Sequence, residues 1–540
     1  MGRGARDSVS EEQRTCIEMT ETSMLITHLA LACCLAGASG RLLTAEDSIA
    51  LPKGLLIGAG VSAVQTEGAW NEDGKAESSV DYLIHQDRLS SLGLTNPHGT
   101  DIAANSYHRF KEDVKMAARL KLKAFRFSFS WPRILPTSDA SKPNDVAVKH
   151  YHDLVDEILY YNMTPLATLY HFDHPQSLES FNSWFGYEMV EHFVEYAKFV
   201  FKEYGSKVKM WSTINEPNIL CTFFPLLYRK AGFKLDTEMD HLVCQRHALL
   251  AHARAYREFK KLNLSGQVGL SLALLPAIPR STRADDIYAA YVLNEMFAGI
   301  LYNPIVYGDY PQVAKKVAAG RLPLFSEEEK ILLNGTADFL GFNIYNGLTA
   351  YWQTPDESSK KEVSVPLGPT IDLLPFVQVD FPNMVGNDTA DFYEKAKPDA
   401  IRETLIWVWQ NYKKPIVVSE NGFGDCLGHG KKDQLRAAYH SAFLRELVIT
   451  MTEFKIEVLA YCAWSLIDAW EFTSEYRRPF GLIHIDYENG TLDRSLKDSA
   501  WFWIEMAETG VVPTVEVSST SHVIPGLFLT FVAFICSQKC

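Results

Sequence analysis

Two short strings bearing a carboxylate stand far apart in this chain: Thr213-Ile214-Asn215-Glu216-Pro217 and Val418-Ser419-Glu420-Asn421-Gly422. Each closes an apolar, strand-like run, Val208-Lys209-Met210-Trp211-Ser212 before the first and Lys414-Pro415-Ile416-Val417 before the second. Two carboxyl groups facing each other across a sugar are the minimum equipment for breaking a glycosidic bond. One must be protonated to help the leaving group depart, and the other ionised to attack or to activate water. Taken singly, either glutamate fits an ordinary strand end on a surface equally well, so the elements that carry them decide.

Apolar strand-like runs alternate with helix-like patterns along the chain. The candidate strands are Leu55–Val64, Ala124–Phe129, Thr164–Tyr170, Lys209–Asn215, Val268–Leu274, Ala337–Asn343, Pro415–Glu420 and Glu457–Ser465. Between them lie candidate helices such as Ala103–Leu120, Lys149–Tyr161, Tyr187–Tyr204 and His241–Lys261. Eight strands each followed by a helix predict an α/β fold, a single (β/α)8 TIM barrel, whose active site lies at the C-terminal ends of the strands. No GxGxxG string follows a strand, so a dinucleotide-binding sheet lacks its signal. In the barrel, Glu216 and Glu420 end strands four and seven and aim into one hollow.

The 540 residues are 47% hydrophobic, ample for a large core, and residues 45–513 contain no Ser/Gly linker or short repeat, which predicts one domain there. A net charge of −14 argues against a nucleic-acid partner, which needs a basic face. Residues 1–40 read as an N-terminal extension and signal peptide, because the run Met24 to Gly40 is short, apolar and ends in small residues. Sequons at Asn162, Asn263, Asn334, Asn387 and Asn489 fit the same secretory, extracellular expectation. At the other end, residues 514–540 form a small polar spacer and a hydrophobic tail, like a glycolipid-anchor signal that would hold the protein at the cell surface; a membrane-touching tail is the rival reading. Cysteines show no CxxC spacing, so no metal is expected. Cys221 and Cys244 flank a loop-like stretch and could form a disulfide, while Cys462 lies in a strand and reads as a buried thiol.

The other strand ends carry strings of their own. These are Gln65-Thr66-Glu67-Gly68, Phe125-Arg126-Phe127-Ser128 with Trp131-Pro132-Arg133, Tyr170-His171-Phe172-Asp173-His174-Pro175, Gly341-Phe342-Asn343-Ile344-Tyr345, and Trp464-Ser465 through Asp468-Ala469-Trp470-Glu471-Phe472. In this order, and with the two glutamate strings, they resemble the family 1 glycoside hydrolases, β-glucosidase-like retaining enzymes, over about residues 50–510.

The resemblance implies Glu216 as general acid/base and Glu420 as nucleophile, with Arg126 and Tyr345 orienting and ionising the nucleophile. It implies Asn215 as donor to the sugar 2-hydroxyl, Gln65, His171 and Glu471 as hydroxyl-binding residues, and Trp464 as the platform under the sugar. No cofactor is implied, and the partners are β-linked glycosides or oligosaccharides; oligomeric state is silent. The chain departs from the family pattern at Phe172 and Phe472, both usually Trp, at Val80, Asn105 and Ala469, and at Pro479, usually basic. These changes bear on which sugar is preferred, glucoside, galactoside or fucoside. Rivals on the same scaffold are a myrosinase-like thioglucosidase, a transglycosidase, and a silent sugar-binding protein; the last usually lacks one carboxylate, and both are present here. Asp113, Asp338 and Asp468 read as structural partners, Trp131 and Trp470 as packing, and Glu327-Glu328-Glu329-Lys330 as a solvated helix start.

Overall fold

A computed structural model describes residues 48–86, 99–230, 241–353, 368–380, 396–425 and 430–515. The expected leader, nearly all of the C-terminal spacer and tail, and the Asn387 sequon lie outside the described residues. Eight strands close into a parallel barrel: β1 (Leu56–Gly60), β2 (Ala124–Ser128), β3 (Thr164–Tyr170), β4 (Met210–Asn215), β5 (Gln267–Leu274), β6 (Phe339–Ile344), β7 (Ile416–Asn421) and β8 (Val458–Trp464). They pair in sequence order, and β8 returns to β1 with Trp464 opposite Gly60. The (β/α)8 expectation is met. The first strand is shorter than expected, stopping at Gly60. Beyond it Val61 N–H donates to Arg126 O, and Ser62 to Thr66 close a helical turn with Thr66 Oγ1 donating to Ser62 O at 2.8 Å.

Helices cover the barrel because their apolar residues recur every three or four positions. Those that matter here are α1 (Ser106–Arg119), α2 (Asp145–Tyr160), α3 (Glu188–Tyr204), α4 (Pro217–Lys230), α5 (His241–Lys261), α6 (Ala284–Asn294), α7 (Ile300–Tyr307), α8 (Asp399–Tyr412), α9 (Gln434–Phe454) and α10 (Ala500–Thr509). In α3, Met189, Val190, Phe193, Ala197, Val200, Phe201 and Tyr204 form the buried stripe, while Glu188 and Glu191 complement the positive helix start. Each large apolar side chain so buried contributes about 1.5–3 kcal/mol. Trp131 is fully buried and stacks on Tyr196 with centroids 4.7 Å apart, the packing role expected of it.

Inside the barrel, Ala124, Leu166, Met210, Phe339, Val417, Ala460 and Cys462 form a separate apolar layer. Every member sits on a barrel strand, so the layer closes the floor and leaves the upper ends as the place for a hollow. Cys462 is the buried thiol anticipated.

One loop expectation is corrected. The stretch after Cys221 is helical: α4 runs through Pro225, a residue that reads as a breaker in the sequence, and a disulfide joins Cys221 on α4 to Cys244 on α5. The segments after β5 and β6 also contain strands, Ala277–Pro279 and Leu348–Trp352, which form a small sheet with Val377–Asp380. Elsewhere Ser326 caps the Glu327–Leu333 helix with a capping box. The three structural aspartates are paired, Asp113 with Arg494 at 2.8 Å, Asp338 with Lys260 at 2.8 Å and Asp468 with Lys497 at 2.6 Å.

Candidate active site

The C-terminal strand ends surround a cavity of about 270 Å3 lined by Gln65, His171, Asn215, Glu216, Tyr345, Glu420, Trp464 and Glu471. Of the nine residues expected there, these eight line it directly. The ninth, Arg126, lies beneath on β2, 2% exposed.

Arg126 is the hub. Its Nη1 donates to Glu420 Oε1 at 2.7 Å and its Nη2 to Asn215 Oδ1 at 2.8 Å. Tyr345 OH donates to the other oxygen of Glu420, Oε2, at 2.5 Å. The glutamate is thereby fixed at both oxygens, on a strand whose Glu420 stands opposite Asn343 of β6. Tyr345 is itself held, since Tyr439 OH donates to its carbonyl at 2.6 Å. Just past Glu420, Gly422 passes so close to β8 that an added Cβ would lie 2.0 Å from Trp464 O, a place only glycine can fill.

Glu216 follows β4 in a left-handed backbone conformation, φ 47°, anchored by its N–H donating to Ser271 O at 2.8 Å. Phe172 (φ 73°) and Phe472 (φ 48°), which also line the cavity, share that region. Non-glycine residues held there cost about 1–3 kcal/mol each, and such strain concentrates at functional sites. Asn343 Nδ2 donates to Glu216 Oε1 at 2.8 Å and to Asn215 Oδ1 at 3.1 Å. A continuous chain of hydrogen bonds therefore runs from Glu420 through Arg126, Asn215 and Asn343 to Glu216. Asn215 spends its oxygen on two donors, which turns its amide N–H groups toward His171, 3.5 Å away, and the hollow.

Electrostatics separate the two carboxyls. Burial, then the charge of Glu420, pushes Glu216 up to about 8. Burial raises Glu420 as well, but Arg126, the Tyr345 hydroxyl and Asn343 all act against it. Glu420 consequently ionises first and Glu216 retains its proton, the division of labour that acid-assisted cleavage needs.

Around them, Trp464 Nε1 donates to Glu471 Oε1 at 3.1 Å and Gln65 Nε2 to Glu471 Oε2 at 3.3 Å. Ser62 Oγ donates to Gln65 Oε1 at 2.6 Å, which fixes the orientation of the amide. Burial, assisted by the Glu420 charge, holds Glu471 well above the usual carboxylate range. Burial and the Arg126 cation hold His171 well below its usual range, so it is a neutral ring, 5.7 Å from Trp464 and nearly parallel to it. Trp470 is buried and donates backbone support only, its carbonyl accepting from Gln65 Nε2 at 2.8 Å.

Sequence reasoning passed over Asn343, which binds both the acid and its neighbour. The signal was present: strand period two puts 343 and 345 on one face, and Tyr345 was singled out. Gly424, Arg478 and Phe480 also line the cavity from segments after β7 and β8, where no pattern announced them.

A parallel barrel holding a partly protonated carboxyl pair among sugar-sized hydrogen-bonding groups defines a glycosidase. The sequence model described as glycosyl hydrolase family 1 matches residues 47–511, and the chain belongs to that family. It is 31% identical to myrosinase 1 of the aphid Brevicoryne brassicae over 85% of this chain and 98% of that protein. It is 34% identical to β-glucosidase 30 of Arabidopsis thaliana, over 84% of this chain and 82% of the relative. Among solved structures, an aphid myrosinase superposes with a TM-score of 0.76 at 29% identity, covering 85% of this chain and 99% of its own. A rice β-glucosidase in covalent complex with glucose superposes with a TM-score of 0.75 at 28% identity, over 84% of this chain and 99% of its own. The protein is a β-glycosidase.

Proposed function

We propose that the enzyme hydrolyses terminal β-D-glucosides with retention, through a covalent glycosyl-enzyme on Glu420. The observation that carries this reading is the asymmetric pair: Glu420 gripped at both oxygens by Arg126 and Tyr345, Glu216 kept protonated beside it. In the first step Glu420 attacks the anomeric carbon while Glu216 donates its proton to the departing oxygen. Once Glu420 is an ester its charge is gone and the pKa of Glu216 falls, so Glu216 can take a proton from the water that releases the sugar. The Asn215 amide faces the 2-hydroxyl, where bonds tighten in the transition state. Trp464 supplies a platform, and Gln65, His171 and Glu471 the hydroxyl partners. An aryl 2-deoxy-2-fluoro-β-glucoside should label Glu420, located by peptide mass spectrometry, and an aryl β-glucoside should give the β-anomer as first product. A first-formed α-anomer would exclude the scheme. Glu420→Gly should abolish turnover while sugar binding persists.

The likeness to the aphid myrosinase supports a second reading, thioglucoside cleavage by the same pocket. A kinetic panel of aryl glucoside, galactoside, fucoside and one thioglucoside separates the two. A secretory route is supported by the Cys221–Cys244 disulfide and by the exposure of Asn162, Asn263, Asn334 and Asn489. In a secretory host a glycosidase-sensitive mass shift should appear; an unmodified chain excludes that route.

A further inference from the structure

A second cavity, of about 250 Å3, lies away from the sugar pocket, between the segment leaving β5, helix α6 with the π-helical turn that follows it, and α8. Its walls are apolar, including Leu274, Ile278, Ala290, Phe297 and Ile406. Its mouth is flanked by Ile287 and Tyr291, which are 49% and 46% exposed, so a route from solvent exists. Apolar cavities of roughly 150 Å3 already hold a benzene-sized molecule, so this one takes something somewhat larger.

Polar groups within it are few and specific. Thr404, 2% exposed, has a buried hydroxyl with no hydrogen-bond partner among the described residues. One turn on, at i+3 and hence on the same face of α8, Trp407 lines the cavity, its side chain already engaged with the carboxyl of Glu295. An unmet buried donor costs about 1–3 kcal/mol, which a ligand oxygen would recover. Asn294 is already committed at both ends, to the N–H and carbonyl of Ala277. Glu403 and Gln410 on the wall are exposed to water, and among the described residues no cation lines the cavity. The π-helical turn Glu295–Gly299 adds an irregularity of the kind found at functional sites. Burial raises Glu295, and a hydrogen bond from the Trp407 side chain acts against that rise.

We propose that this cavity is a binding site, separate from the sugar pocket, for a small neutral alcohol or phenol: an apolar body beside the Trp407 ring with one oxygen placed against Thr404. It deepens the reading above and rests on it in one respect only, that this is the chemical class of the leaving group a glycosidase releases.

Calorimetric titration of the full chain with phenol, and with benzene as its hydroxyl-free counterpart, tests the site without any substrate. Ala290→Phe fills the cavity and should remove one phenol-binding equivalent. Thr404→Val keeps the shape and should weaken phenol roughly fivefold while leaving benzene unchanged. Unchanged phenol stoichiometry in Ala290→Phe would overturn the site. Equal affinity for phenol and benzene, or no effect of Thr404→Val, would overturn the assigned chemistry. If Ala290→Phe does not fold, phenol quenching of wild-type fluorescence that is lost in Trp407→Phe supports the site, and quenching that persists overturns it. Inactivity on every glycoside would sink the proposed function and leave these isotherms unaffected, so the two failures are distinguishable.

Discussion

At the scale of single residues, the pocket works by setting two like groups apart. The proposed mechanism needs Glu420 ionised and Glu216 protonated, so kcat/KM should fall as pH rises through about 8, where Glu216 loses its proton. Tyr345→Phe removes a hydrogen bond that favours the charged form of Glu420. The acidic limb of the profile should therefore move to higher pH while the alkaline limb stays. A profile with both limbs displaced equally would contradict this assignment. The raised pKa of Glu216 also has a stability cost of determinable sign. Folding binds its proton more tightly than the unfolded chain does, so stability declines from the ordinary carboxylate range up to about pH 8 and then levels off. Glu216→Gln should consequently raise Tm at pH 9, by roughly a few degrees, and barely at pH 4; thermal scans at the two values check it. Asn343→Ala, which strips a donor from both Glu216 and Asn215, should lower kcat by roughly a hundredfold without unfolding the protein.

At the scale of elements, α4 begins immediately after Glu216 and is tied to α5 by Cys221–Cys244 across a sequence separation of 23. Replacing both cysteines by serine should cost about 3 kcal/mol, read as a reductant-independent fall in Tm, with kcat on a small aryl glucoside nearly preserved. The barrel strands were legible in the sequence because a strand covered on both faces is a continuous apolar run, as in Ile416–Val418, and parallel strands must alternate with helices. The two carboxylates were legible because each stands at the end of such a run, whereas Arg126, in the middle of β2, and Tyr345 were legible only through the strings that resemble the family. What could not be read follows from physics that is not local. Pro217 and Pro225 mask α4. The left-handed backbone at Glu216 depends on a hydrogen bond to Ser271 of the next strand. The role of Asn343 depends on its register opposite Glu420, which no single segment encodes.

At the scale of the whole molecule, the ends of the described chain are stitched together. Ile49 and Ala50 pair with Val512 and Val511, and Arg494 Nε donates to the buried Asp113 on α1 at 2.8 Å. Arg494→Ala would strand a buried carboxylate and should cost about 3–5 kcal/mol, whereas the double change with Asp113→Asn should recover part of it; chemical denaturation of the three proteins measures the difference. The sugar pocket depends on the same closure. Gln65, just past the first strand, and Glu471, just past the last, meet across 406 positions of sequence. A nascent polypeptide on the ribosome thus owns no working hollow for most of its synthesis, and a message cut short anywhere before that glutamate yields a product unable to cradle its sugar, however many of the earlier catalytic groups it already contains.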